Sequence, residues 1–299
     1  MMSVVNQDTL GDCKSSFFFL LKKSNIDMNS NYRIFICTHK DIPFDYKKIG
    51  VSSNHYTILS NVKGVNSDCC DVIDMSEDEF VKEHRIGYSE MCSIHYLYTH
   101  QELIKDLDYI GICHYRRFYQ DLLFDGAYID GDIVTTNNKH RDHTNYREYS
   151  MIHCKEHIDI VSDIVLNNYK DYYKSFIETL DGREMHHCNM VVLPKSLFFE
   201  YCEYMFGVLS KFDEYIGVKN DQETYKYVCD NFYKYKGCAS EDVNFQSRLQ
   251  GYLSERLTDS FIRNKSKDYK IHHSKMVKLF SPNEAINNWE DALAVYNSK

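Results

Sequence analysis

Asp108-Tyr109-Ile110-Gly111-Ile112-Cys113-His114-Tyr115-Arg116-Arg117-Phe118-Tyr119 is the stretch around which this chain is organised. Residues 109–113 form a short apolar run with β-branched members, long enough for a buried strand and too short for a helix. The run predicts a strand in the middle of a sheet. Its second half delivers His114, Arg116 and Arg117 interleaved with Tyr115, Phe118 and Tyr119, so cations and aromatic faces project at the strand's carboxyl edge. That edge is where open α/β sheets bind ligands. A guanidinium stays charged at any working pH and pairs bidentately with phosphate or carboxylate. Two arginines after a strand also serve as plain surface ion pairs, and the motif by itself leaves both readings open.

With 299 residues the chain fits one large domain or two small ones. An apolar share of 43% with 26% charged residues is that of an ordinary folded protein with a sizeable core. The formal net charge of −9 argues against a general nucleic-acid binder, which would show a basic face. No window approaches the apolar length of a membrane span, and residues 17–21 are too short for a signal-peptide core, so the expectation is a cytoplasmic protein. Eleven cysteines without a Cys-x-x-Cys pair are expected to be reduced thiols.

Residues 1–30 carry no clear period and read as an N-terminal extension. The first strand is expected over 33–37, followed by the polar Thr38-His39-Lys40-Asp41. No Gly-x-Gly-x-x-Gly or Walker loop follows it, which argues against a dinucleotide or P-loop site. Residues 51–80 read as loop with short extended pieces. A helix over 88–105 leads into the strand at 109, an order that implies a right-handed crossover and parallel pairing. Asp130 and Asp132 form an Asp-x-Asp, a spacing that can hold Mn or Mg between carboxylates and a bound diphosphate. Residues 137–149 read as a loop, 153–173 as a helix and 189–193 as a strand stopped by Pro194. Helices are expected over 196–209 and 243–262, with an inserted hairpin or helix pair at 212–240. Beyond 265 the chain reads as a tail, basic as far as 278, suited to peripheral contact with an acidic membrane surface.

Taken together, these segments resemble the bacterial capsular and exopolysaccharide glycosyltransferase family long catalogued as a domain of unknown function. The residues that carry the resemblance are the 108–119 motif with its His-Tyr-Arg-Arg, Ile36-Cys37-Thr38-His39-Lys40, Tyr88-Ser89-Glu90, the block from His186 to Leu193, and Gly251-Tyr252-Leu253-Ser254-Glu255-Arg256-Leu257. The likeness spans roughly residues 33–263. It implies a GT-A-like α/β fold, a Rossmann-type mixed and mainly parallel sheet flanked by helices, in a domain over 31–265. It also implies transfer of a sugar, often galactofuranose or galactose, from a nucleotide-diphosphate donor to a glycan acceptor.

Such a transfer needs the diphosphate's charge neutralised and the acceptor hydroxyl deprotonated. The expected diphosphate ligands are Arg116 and Arg117, with His114 and Tyr115 assisting. Glu255 is the expected base and Asp242 the second candidate. His39 and Lys40 are expected near the nucleotide, and His186 and Asn189 near the sugar. Two other readings compete: a metal-dependent phosphoester hydrolase using Asp130, Asp132 and the histidines, and a silent sugar-binding protein that has kept the fold without the reaction.

Overall fold

The computed structural model describes residues 31–123, 132–136, 139–186 and 188–279. The N-terminal extension, Asp130 and the end of the tail lie outside these residues. The strands are β1 (Tyr32–Thr38), β2 (Tyr56–Ser60), β3 (Asp71–Asp74), β4 (Tyr109–His114), β5 (Arg117–Tyr119), β6 (Ile133–Thr136), β7 (Lys139–His140), β8 (Glu184–Met185), β9 (Val191–Pro194), β10 (Ile271–Ser274) and β11 (Met276–Lys278). The helices are α1 (Glu79–His84), α2 (Met91–Thr99), α3 (Asn145–Ile152), α4 (Lys155–Asn168), α5 (Lys170–Asp181), α6 (Lys195–Ile216), α7 (Asp221–Asp230), α8 (Val243–Gln246) and α9 (Leu249–Lys265).

The main sheet runs β10-β6-β9-β4-β1-β2-β3. Along this path β9 alone is antiparallel to its neighbours, and the other six strands share one direction. β4 sits between β1 and β9, as its apolar run predicts. Its Gly111 sits in a tight slot: a Cβ there would meet Ile34 Cγ1 at 3.0 Å and Val192 Cγ2 at 3.1 Å.

Alternation along the strands sends residues to two cores. Phe35, Ile110, Ile112, Val191 and Leu193 join the buried faces of α2, α4, α5, α6 and α9. Ile34, Ile36, Cys113, Val192 and Val134 meet Tyr46, Phe118, Tyr119, Leu122 and Val277 on the other side. The central strands are therefore apolar on both faces, which is why they read as continuous hydrophobic runs.

Three expected helices are interrupted, each by a local backbone conformation. The one expected from residue 88 begins at Met91, because Ser89 is held at a φ of 54° outside the helical region. The helix expected over 153–173 is two, α4 and α5, broken at Tyr169 with φ −136°. That expected over 243–262 is α8 and α9, parted at Arg248. Residues 212–240 hold the end of α6, then α7 and a 3-10 turn, and Phe212, Val228 and Tyr235 are buried in the main core.

The expected tail needs correction. Residues 271–274 form β10, the parallel edge strand beside β6, and 276–278 form β11, antiparallel to β5, so the folded body extends past 265. The run Ile271-His272-His273-Ser274 reads as polar because three of its four side chains stay partly or wholly exposed. Residues 139–140 and 145–152, expected as loop, are β7 and α3.

Candidate active site

Strands β1, β2 and β4 run parallel, so the residues following each gather at one edge, and the reversed β9 brings the residues preceding it to the same edge. His39 and Lys40 follow β1. His114 ends β4, and Cys188 and Asn189 precede β9. The register aligns Ile112 with Val191, which sets His114 beside Asn189.

His114 is packed into a polar knot. Its Nε2 donates to Cys188 O at 2.8 Å, and its Nδ1 faces Arg117 Nη1 at 3.5 Å, an arrangement that suits the neutral ring. Burial lowers its pKa, opposed by the nearby Glu90. Glu90 Oε1 lies 3.6 Å from His114 Nε2 and accepts from Asn189 Nδ2 at 2.9 Å. Asn189 Nδ2 also donates to Ser254 Oγ at 2.9 Å, and its Oδ1 accepts from Thr258 at 2.7 Å. Asn189 is thus buried, and its amide ties the sheet edge to α9 and the Glu90 turn. This gives it a bracing part in place of the expected sugar contact.

The non-glycine residues with positive φ among those described are Ser89, Cys188 and Asn189, at 54°, 57° and 54°. All three belong to this knot. Left-handed backbone at such residues is strained and persists where surrounding bonds over-determine it. Ser89 is held by Arg248, whose Nη2 donates to its Oγ at 2.8 Å, and Gly251 lets α9 approach closely enough for its N–H to reach Gly87 O at 2.8 Å. A side chain at 251 would meet Ser89 Cβ at 3.1 Å.

Arg116 and Arg117 are half-buried and have no carboxylate partner among the described residues. Arg116 Nε is buried without a hydrogen bond among the described residues, and its guanidinium lies 5.7 Å from the Tyr115 ring centre. Lys40 Nζ is 5.2 Å from the same centre, and His39 meets that ring edge-on at 5.5 Å. Tyr115 is itself fixed, with its carbonyl accepting from Tyr46 OH at 2.5 Å. Beside it a cavity of about 340 Å³ is lined by Phe44, Tyr46, Asn66, Ser67 and Asp68.

Glu255, on α9, accepts from Arg256 Nη1 at 2.9 Å and keeps 22% of its side chain exposed. Burial raises its carboxyl above the ordinary range and Glu90 adds to this, while Arg256, Arg141 and Arg117 oppose. One turn further on, the buried Asp259 accepts from His186 Nδ1 at 2.6 Å and from Thr179 Oγ1 at 3.0 Å. Among the described residues His186 Nε2 has no hydrogen-bond partner.

Other expected residues lie elsewhere. Asp132 opens β6 at the opposite edge of the sheet: the pairings put it level with Tyr109, five residues or about 16 Å short of His114. Its carboxylate accepts from Lys270 N at 2.9 Å. Asp242 is exposed and caps α8, accepting from Asn244 N at 2.9 Å. Among the described residues no group of three or more His, Cys, Asp or Glu side chains is placed to hold a metal ion. Nor is any described helix long and apolar enough to cross a membrane. Sequence reading named no part for Glu90, Arg248 and Asp259. The last shared a signal with Glu255, since the two are four apart on one helix face.

A family model described as a domain of unknown function, DUF4422, matches residues 33–232. The Glu255 block falls beyond that segment. No curated protein matches the sequence. Among solved structures, the chain is similar to the apo form of WbbM, a bifunctional glycosyltransferase, with a TM-score of 0.62 and 17% identity. The likeness covers 83% of this chain and 45% of that one, so the chain spans less than half the length of the neighbour it matches. The fold is GT-A-like α/β, a mixed and mostly parallel sheet flanked by helices.

Proposed function

The chain belongs to the family described as a domain of unknown function, DUF4422, and from that premise we propose that it is a glycosyltransferase using a nucleotide-diphosphate sugar and a glycan acceptor. One observation carries the reading: Arg116 and Arg117 stand at the carboxyl edge of the central strand and form no ion pair among the described residues, with Glu255 acting on Arg117 through space. Desolvated cations that a protein leaves unpaired are costly unless an anion completes them. A departing nucleoside diphosphate is such an anion, and preorganised cations aimed at developing charge are commonly the largest catalytic term.

In this reading the cavity beside Tyr115 receives the nucleoside, with His39 and Lys40 at its approach. Arg116 and Arg117 bind the diphosphate. His114 is a positioning residue, its neutral ring accepting from Arg117. Glu255 takes the proton from the acceptor hydroxyl, and Arg256 holds that carboxylate in place. His186, oriented by Asp259, offers Nε2 to a sugar hydroxyl. Galactose or galactofuranose as the transferred unit, and capsule, exopolysaccharide or another surface glycan as the product, rest on the family resemblance. The protein's own cations meet the charge of the departing diphosphate, with Mn or Mg as an added cation whose effect thermal unfolding reads directly.

Thermal unfolding with UDP, GDP and free phosphate, each with and without Mn²⁺, tests the proposal. A nucleoside diphosphate is expected to raise the melting temperature and free phosphate to do so less. Stabilisation by Mn²⁺ alone would favour the hydrolase, and no response to any of them would favour a silent protein.

A further inference from the structure

A second cavity, of about 570 Å³, opens between α1, α2 and the C-terminal half of α6. It is lined by Phe80, Tyr88, His95, Phe206, Asp213 and Glu214 among others, and it shares no residue with the arginine strand or the cavity beside Tyr115. We propose that it is a binding site for a neutral saccharide, filled in use by a unit of the acceptor glycan away from the reacting hydroxyl. The choice of a glycan rests on the transferase reading. The class of ligand rests on the cavity itself.

The volume lies within the range of small-molecule sites, about 300–1,000 Å³. One wall is a fixed aromatic assembly. Phe80 sits between His84 and His95 with ring centres 4.4 and 3.7 Å away, and Phe206 meets Phe80 and His95 edge-on at 6.4 and 5.0 Å. Rings already immobilised present apolar surface at low entropic cost, which suits the C–H face of a sugar. Burial lowers the pKa of both histidines, His95 to about 4, so this wall is uncharged at neutral pH.

The polar groups are mixed in kind. Asp213 and Glu214 accept, Lys219 donates, and Ser210 does either. Among the described residues His95 Nδ1 is buried without a hydrogen-bond partner. A hydroxyl both donates and accepts, so a polyol answers this set where a simple cation or anion answers only half of it. Two carboxylates against one ammonium also repel a nucleoside diphosphate, which separates this cavity from the arginine edge by charge.

The cavity is tied to that edge by Tyr88. Its hydroxyl donates to Asp213 Oδ2 at 2.7 Å, while Gln250 of α9 donates to Asp213 Oδ1 at 2.5 Å. Glu90 is two residues from Tyr88, a Cα separation of at most about 7.6 Å. An acceptor longer than its reacting unit therefore has a place to lie next to the strained turn that carries Glu90.

Saturation-transfer NMR on the full chain with lactose, maltose and cellobiose tests the assignment. At least one of these disaccharides is expected to receive saturation, to keep it when UDP is added and in Arg116→Ala, and to lose most of it in Phe206→Ala. Glu214→Gln alters an exposed side chain at the rim and is expected to weaken binding several-fold, which keeps the test decisive if Phe206→Ala does not fold. No transfer to any of the three, displacement by UDP, or signals unchanged in both variants would overturn the assignment. Turnover of nucleotide sugar in the same samples separates the two readings: its presence with no disaccharide binding rejects the cavity alone, and its absence rejects the transferase.

Discussion

Two pairs of arginines lie close to one another in this molecule and are treated in opposite ways. Arg256 is almost wholly buried and pairs with Glu255, and Arg141 pairs with Glu148. Arg116, in the turn after β4, and Arg117, which opens β5, form no ion pair among the described residues; Arg117 faces an imidazole and Arg116 a tyrosine ring. The paired arginines each meet a carboxylate, although the Nε of Arg256 and of Arg141 is as bare of hydrogen bonds as that of Arg116, whereas Arg116 and Arg117 form no ion pair among the described residues. Function is therefore sought where a cation lacks its counter-charge, and stability where it has one.

The largest effect should come from breaking a satisfied pair. Arg256→Leu leaves the Glu255 carboxylate without its guanidinium and is expected to cost about 3 kcal/mol of stability, read from the denaturant midpoint. An unchanged midpoint would remove the contrast. Arg116→Ala should do the reverse, lowering transfer by about 10²-fold or more with little change in the midpoint. Near-normal turnover in that variant would return Arg116 to an ordinary surface role.

A pH profile sharpens the comparison at Glu255, which pairs with Arg256 and feels the charge of Arg117 through space. Burial raises its carboxyl above the ordinary 4.5, and a base works only when ionised, so turnover should climb with pH through a limb above that value. Glu255→Gln should abolish turnover while UDP still stabilises the protein. An acid limb at or below 4.5 would point to another base. The smallest effect belongs to Lys226, whose exposed pairing with Asp230 on α7 is screened by solvent, and Lys226→Ala should leave both midpoint and turnover as they were.

What could be read from the sequence follows from burial. β1 and β4 are apolar on both faces and announced themselves, and Pro194 marked the end of β9. β10 did not, because an edge strand with half-exposed histidines carries no apolar signature. The arginines were legible because a strand ending in two guanidinium groups is unusual. Glu90 and Arg248 were not, since their placement depends on Ser89, Cys188 and Asn189 taking left-handed backbone, a choice made by tertiary bonds rather than by residue type. Asp132 was misjudged for a related reason: an Asp-x-Asp says nothing of which end of a sheet it will occupy.

The pairing of β11 with β5, together with the 2.8 Å bond from Leu279 N to Arg116 O, has a consequence for biosynthesis. Residues near 278 set the backbone of residues near 117, so a growing chain has every proposed catalytic side chain translated before the strand that steadies its arginines leaves the ribosome. Activity should therefore switch on late and all at once. A chain halted before Met276 should hold the whole catalytic inventory and perform none of the chemistry.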